Sequence, residues 1–277
     1  MALALAAVTA LTWGTMEVIF LRAAKGIGAF SLVLWLAIMG TVIALPIALL
    51  TGRPEGSTGE LAAALGAAAL GFGAGALYFV ALQHGQLSVV SPIVATQAAV
   101  AALAAALLLD EPLGAALGLG LVVVLVGTVL AAGGRGAADH LAIVLAVGSA
   151  IGLGLYAVAL GETADAIGGM WAVVAYRVVT LAVLLPLAVR HARLHLPRDH
   201  RRPLVIAVLL ETIGFVALAY ALAEGPVGPV AAIAVQYSTV AVVGAAVVLH
   251  ERLRPSQWVG VGLVLAAVLV ISLSREA

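Results

Sequence analysis

The chain has 277 residues, 64% of them hydrophobic and only 9% charged, and its 13 basic and 13 acidic side chains cancel to a formal net charge of zero. Soluble domains carry about 25% charged residues, so this chain cannot dress a surface facing water, and a mean hydropathy of +1.23 makes lipid its solvent. The neutral balance argues against nucleic acid as a partner, and the lack of cysteine excludes disulfides, thiolate metal sites and cysteine nucleophiles.

A transmembrane helix needs about 20 mostly apolar residues to cross roughly 30 Å of hydrocarbon. Ten runs meet that need. In the first half they are approximately Ala2–Leu21, Ala29–Leu50, Glu60–Leu82, Leu87–Leu109 and Leu113–Ala132. In the second half they are Leu141–Leu160, Gly169–Val189, Pro203–Leu222, Val227–Leu249 and Ser256–Leu273. The first run lacks a basic leader and a small-residue cleavage site before a polar mature chain, so it reads as a retained span. The runs are too long for barrel strands and do not alternate, which predicts an all-α membrane protein. The only long polar segment is Arg190–Arg202, between spans seven and eight, and no separate soluble domain is predicted.

The chain contains itself twice. Gly85 returns as Gly225 (225 − 85 = 140), Glu111 as Glu251, Leu113 as Leu253 and Gly120 as Gly260, all at that one offset. Upstream, Gly14 returns as Gly154, Gly28 as Gly168 and Pro46 as Pro186. The predicted division is a five-helix repeat over residues 1–137 and a second over 138–277. Five is odd, so the second copy must enter the membrane from the opposite side, as in the inverted repeats of secondary carriers. Lysine and arginine fall two against ten across the two sets of loops, Arg53 and Arg275 against Arg22, Lys25, Arg135, Arg190, Arg193, Arg198, Arg201, Arg202, Arg252 and Arg254. That bias predicts both termini on the non-cytoplasmic side and the 190–202 loop inside.

Small residues crowd several spans, as at Gly66, Gly71, Gly73 and Gly75 of span three and Gly148 and Gly152 of span six. They read as close helix packing, with a sliding surface as the functional alternative. Trp171 and Trp258 fall at span ends and read as interfacial anchors.

Ionisable groups inside a membrane are costly and mark function by default. Three lie well inside: Glu17, Arg177 and Glu211. At about 1.5 Å per residue they stand about 22, 9 and 18 Å from the non-cytoplasmic face. Glu17 reads either as a hydrated residue pairing with Arg22 or Lys25, or as a carboxylate that binds protons or a cation, with Trp13 one turn back to stack on that cation. Arg177 and Glu211 read as a structural ion pair between spans seven and eight, or as substrate contacts. Gln97 of span four and Gln236-Tyr237 of span nine come out about 14–16 Å deep, at the midplane. Position 97 maps onto Tyr237 by the repeat, so both copies place hydrogen-bonding groups at one level. Tyr78 and Tyr156 lie nearer opposite ends of their spans and read as packing residues or gates. The candidate substrate-binding set is Trp13, Glu17, Tyr78, Gln97, Glu211, Gln236 and Tyr237, with Glu17 also the candidate for proton coupling.

His191 and His195 have the i, i+4 spacing of a metal pair but sit in an arginine-rich loop without convergent carboxylates, so a solvated loop is expected. No H-E-x-x-H, G-x-S-x-G or phosphate-cradling glycine loop occurs, so neither an enzyme nor a cofactor is expected.

The ends of the two fourth spans of the repeats read Leu107-Leu108-Leu109-Asp110-Glu111-Pro112-Leu113 and Val247-Val248-Leu249-His250-Glu251-Arg252-Leu253. With the two five-span copies, these corners make the chain resemble the drug/metabolite transporter superfamily, specifically its ten-helix EamA-type members. Asp110 and His250 stand where the family usually has Gly, and the corner itself reads as a structural turn. The resemblance implies a secondary active transporter of a small metabolite, amino-acid-like or cationic, working by alternating access and often exporting. It implies a cavity lined chiefly by spans one, three, four, six, eight and nine. Familiar members keep both termini in the cytoplasm, so the charge bias makes this chain a flipped member. Glu17 is similar to the coupling glutamate of the related small multidrug resistance proteins, although position 157 is Ala in the second copy. The alternative reading is a passive channel or facilitator for small polar solutes. Expected partners are the substrate, protons and the lipid of the cell (inner) membrane, with the chain a monomer or weak homodimer.

Overall fold

The computed structural model of the protein describes residues 1–27, 29–85, 90, 93–112, 114–132, 139–190, 201–248 and 254–273. Among them the helices are α1 (Ala2–Ile27), α2 (Ala29–Thr51), α3 (Thr58–His84), α4 (Gln97–Leu108), α5 (Ala115–Ala132), α6 (His140–Ile167), α7 (Gly169–Arg190), α8 (Arg201–Glu224), α9 (Val227–Ala234), α10 (Tyr237–Val248) and α11 (Pro255–Leu273). No strand occurs among the described residues. Alanine- and leucine-rich runs favour helix intrinsically, and in lipid a helix satisfies its backbone polar groups within one segment. The chain is an integral, multi-pass membrane protein. Among the described residues six helices, α1–α3 and α6–α8, are long and apolar enough to span. Four shorter apolar stretches, Ile93–Leu108, Leu117–Leu130, Val227–Ala241 and Pro255–Ala267, fall where the remaining four runs were expected.

Local signals set the helix ends. At the start of α3 the Ser57 side chain accepts the Glu60 N–H, and the Glu60 carboxylate accepts the Ser57 N–H at 2.5 Å, a reciprocal cap that fixes the entry of the chain. At the start of α6 the Asp139 carboxylate accepts the Ala142 N–H at 2.7 Å. Spans four and nine are interrupted at equivalent places. Thr96 N–H donates to Ile93 O and Gln236 N–H to Ile233 O, both at 3.1 Å, a tight i to i−3 turn in each copy (96 + 140 = 236).

The packing exchanges under the same offset. Helix α1 runs along α8 as α3 runs along α6, while α2 meets α7 and α5 meets α11. A Cβ built on Gly14 would stand 2.6 Å from the Tyr237 carbonyl oxygen and 2.5 Å from Val240 Cβ. One built on Gly154 would stand 2.8 Å from the Gln97 carbonyl oxygen and 2.6 Å from Val100 Cβ. The four partners are the same four positions with the copies swapped. Gly152 against Ala74 and Gly214 against Thr12 form a second exchanged pair. Not every glycine packs, however. Gly66 and Gly73 face open space with nothing within 4 Å, so the close-packing expectation holds for Gly71 and Gly152 but not for these two.

At the end of α4, Asp110 adopts φ +54, the left-handed region that suits glycine and that a short polar side chain tolerates. This is the position where the resembled family has Gly. The turn lets the Glu111 N–H donate to Ala105 O at 3.3 Å and aims the Glu111 side chain at the other copy. Its carboxylate accepts the Val227 N–H at 2.8 Å and the Gly228 N–H at 3.5 Å, capping α9, whose own N-cap Pro226 offers no side-chain cap. The corner expected as a simple turn therefore also joins the two copies. Its counterpart at His250-Glu251-Arg252-Leu253, Leu113 itself and the pair His191 and His195 lie outside the described residues. Trp171 is more than an interfacial anchor, since its indole N–H donates to Gly52 O at 3.2 Å. Trp258 is 55% exposed, as an anchor should be.

Candidate functional site

Where α1, α6, α7, α8 and α10 meet, five aromatic rings form a chain. Tyr156 stands 5.9 Å from Tyr176, and Tyr176 stands 4.9 Å from Phe215 in an edge-to-face contact. Phe215 is 6.2 Å from Trp13, and Trp13 is 6.0 Å from Tyr237. Edge-to-face pairs at these separations lock ring orientations beyond simple burial. Trp13 is also anchored by its indole N–H, which donates to the Glu211 carbonyl at 3.1 Å. Its ring thus bridges α1, α8 and α10.

Charged and polar groups border this chain of rings. Arg177 is only 2% exposed and pairs with the Glu211 carboxylate. Its terminal nitrogen also donates to the Thr212 hydroxyl at 3.4 Å, and its guanidinium carbon lies 5.7 Å from the Phe215 ring centre. The arm reaches α2, where a Cβ on Gly40 would come within 2.8 Å of the guanidinium carbon, so a glycine there admits the charge. The Tyr156 and Tyr176 hydroxyls lie within electrostatic range of both Arg177 and Glu211. At the other end, Glu17 and Gln97 are the polar neighbours of the Tyr237 hydroxyl. Glu17 itself is half-buried, and the Arg22 and Lys25 side chains expected to pair with it lie outside the described part.

The structure therefore brings together Trp13, Glu17, Gln97, Arg177, Glu211 and Tyr237. Two expected residues make contacts of their own. Gln236 is buried but spends its side chain on its own span, donating to Ala232 O at 2.8 Å and accepting from the Thr239 hydroxyl at 3.2 Å. That pairing stitches α9 to α10 across the tight turn. Tyr78 packs near Phe79 and against a cluster that includes Ala81, Val90 and Val94. Tyr156 is a buried packing residue of the core and also the terminal ring of the chain, with Gly71 leaving room for it.

Sequence reasoning missed Tyr176, Phe215 and Gly40. The signal was present for two of them. Phe215 follows Glu211 by four residues, as Glu17 follows Trp13, so each acid shares a helix face with an aromatic ring. Tyr176 adjoins Arg177. Among the described residues no three His, Asp or Glu side chains converge to hold a metal. Chemically, the cluster offers π faces for an apolar or cationic body, a buried guanidinium for an anion, and carboxylates at both ends.

Comparison with known proteins agrees with this architecture. The model of the EamA-like transporter family matches twice, over residues 1–133 and 140–273. A solved structure described only as a crystal structure of a protein is similar in fold, with a TM-score of 0.82 at 18% identity, covering 99% of this chain and 97% of that one. No curated protein matches. With both halves of the chain matched, this membrane protein belongs to the EamA-like transporter family, a family of transporters and not of enzymes.

Proposed function

We propose that the protein is a secondary active transporter of a small metabolite, built as ten transmembrane helices in two inverted five-helix repeats, residues 1–137 and 138–277. The observation that carries this reading is the exchange of packing partners, in which Gly14 meets the backbone of Tyr237 as Gly154 meets that of Gln97. Two copies that grip each other reciprocally can rock about a shared centre, exposing it to one face and then the other. Spans four and nine are both interrupted near that centre, where unwound backbone serves substrate binding in other carriers. Trp13, Glu17, Gln97, Glu211 and Tyr237 form the proposed substrate-binding set, with Arg177 and Glu211 fastening α7 to α8 while the site is empty. Glu17 is the proposed coupling group, because it is half-buried and is an acidic neighbour of Tyr237. The protein works as an exporter in the cell (inner) membrane with both termini on the non-cytoplasmic side.

Counterflow in proteoliposomes tests the carrier reading. A carrier preloaded with unlabelled substrate accelerates entry of labelled substrate, whereas a channel or facilitating pore shows no such trans-stimulation. For coupling, Glu17→Gln is expected to abolish transport driven by a pH gradient while sparing exchange. A Glu17→Gln protein that keeps full proton-driven transport from about pH 5 to 8 removes Glu17 from the mechanism.

A further inference from the structure

Among the described residues, two buried donors in the cluster have nothing to donate to. The Arg177 Nε and the Tyr156 hydroxyl are both shielded from solvent without a hydrogen-bond partner, although their side chains are 2% and 8% exposed. An arginine kept only as a structural clamp normally has its fork satisfied, since each buried unpaired donor forfeits its hydration. Here the Glu211 and Thr212 contacts use one terminal nitrogen, and the Nε edge is left over. The two orphans come from different helices, α6 and α7, and lie on the same electrostatic cluster. The repeat adds a second point. Positions equivalent to Arg177, Glu211, Tyr156 and Phe215 in the first copy are Ala37, Gly71, Met16 and Gly75. A clamp needed for architecture alone would be useful in both copies, yet only one has it.

Resting on the carrier reading above, we propose that Arg177 receives the carboxylate of the transported molecule, with Glu211 occupying its place when the site is empty. A guanidinium fork matches a planar carboxylate with two parallel hydrogen bonds, and the Nε edge and the Tyr156 hydroxyl supply the donors that the resting pair leaves idle. The rings of Tyr156, Tyr176, Phe215 and Trp13 then face the rest of the molecule, so the substrate class is a carboxylic acid with an apolar, preferably aromatic, body. Charge must balance in this buried setting. As the substrate carboxylate takes over Arg177, Glu211 gains one proton from solvent, and the site holds one cation and one anion before and after. The charged or titratable groups facing Glu211 are Arg177, Tyr156 and Tyr176.

Benzoate is the probe, with its uncharged amide, benzamide, as control. Purified protein in weakly buffered detergent is expected to take up one proton per benzoate bound. Its affinity should fall about tenfold per pH unit between about pH 6 and 8, the slope of one linked proton. Benzamide should not compete. Glu211→Gln should bind benzoate with a pH-independent affinity and no proton uptake, whereas the double variant Arg177→Gln, Glu211→Gln, which leaves no unpaired charge, should lose it. If Glu211→Gln does not fold, proton uptake by the unaltered protein and binding by the double variant still decide. Benzoate binding that is equal in the double variant, binding without proton uptake, or no binding at all would overturn the proposal. Failure of the carrier reading is separable, because it would appear as absent counterflow while benzoate binding stayed intact.

Discussion

Glu111 accepts the Val227 N–H at 2.8 Å, so the residue that closes span four in the first copy caps the helix that opens span nine in the second. The two residues are 116 positions apart in the chain, and the contact is a direct polar link between the copies. Its loss has a size that can be anticipated. Replacing a capping side chain by alanine costs about 0.5–2 kcal/mol, and a charged acceptor lies toward the upper end. Glu111→Ala is expected to lower unfolding stability in detergent by about 1–2 kcal/mol, and Glu111→Gln, which keeps one acceptor oxygen, by less. Equal stability of Glu111→Ala and the unaltered chain would mean that water replaces the cap at no cost.

Asp110 precedes that glutamate at φ +54. An L-residue pays for the left-handed region and glycine does not, so Asp110→Gly is expected to stabilise the protein by up to about 1 kcal/mol. The gain would be read as a higher unfolding midpoint. A loss of stability would show that the Asp110 carboxylate compensates its own strain locally.

The glycines divide into those with a neighbour and those without. Adding a methyl at Gly14 or Gly154 drives it into the partner copy's carbonyl, and overpacking of this kind typically costs about 1–3 kcal/mol. Gly14→Ala and Gly154→Ala should therefore destabilise by similar amounts. Gly66→Ala and Gly73→Ala meet nothing within 4 Å and remove a flexible residue from a helix, so they should be neutral or stabilising by about 0.5–1 kcal/mol. Unequal effects at positions 14 and 154 would contradict the exchanged geometry.

For the buried pair, Arg177→Gln alone leaves the Glu211 charge without its partner, a change that typically costs about 3–5 kcal/mol. The double variant Arg177→Gln, Glu211→Gln should recover most of that loss. A double variant as unstable as the single one would mean that Arg177 holds the fold through Thr212 and Gly40 rather than through its charge.

Much of this was legible because lipid is a demanding solvent. It requires long apolar helical runs, so the all-helical membrane class and the repeat could be read from residues alone. The fixed helical rise also gives an expected depth for Glu17, Arg177 and Glu211. What rise does not give is direction around the helix axis or lateral position. That is why Tyr176 and Phe215 looked like ordinary span residues. The expected pairing of Arg177 with Glu211 is present, but the Gly40 notch that admits the guanidinium carries no pattern of its own. The cap from Glu111 was illegible for a different reason. Its acceptors of interest are backbone N–H groups 116 residues away, and backbone groups leave no trace in a sequence.

In the proposed carrier the middle of the protein opens to one face at a time. Gln97 sits at that middle beside Tyr237, and the chain has no cysteine of its own, so Gln97→Cys gives a single reporter for membrane-impermeant thiol reagents. In oriented vesicles the thiol should be modified from either face. Adding Glu111→Ala, which unfastens the Glu111 face, should raise the rate from that face and lower it from the opposite one, because the two openings share one population. Both rates rising together would describe a pore, and modification from one face alone in every variant would contradict alternating access.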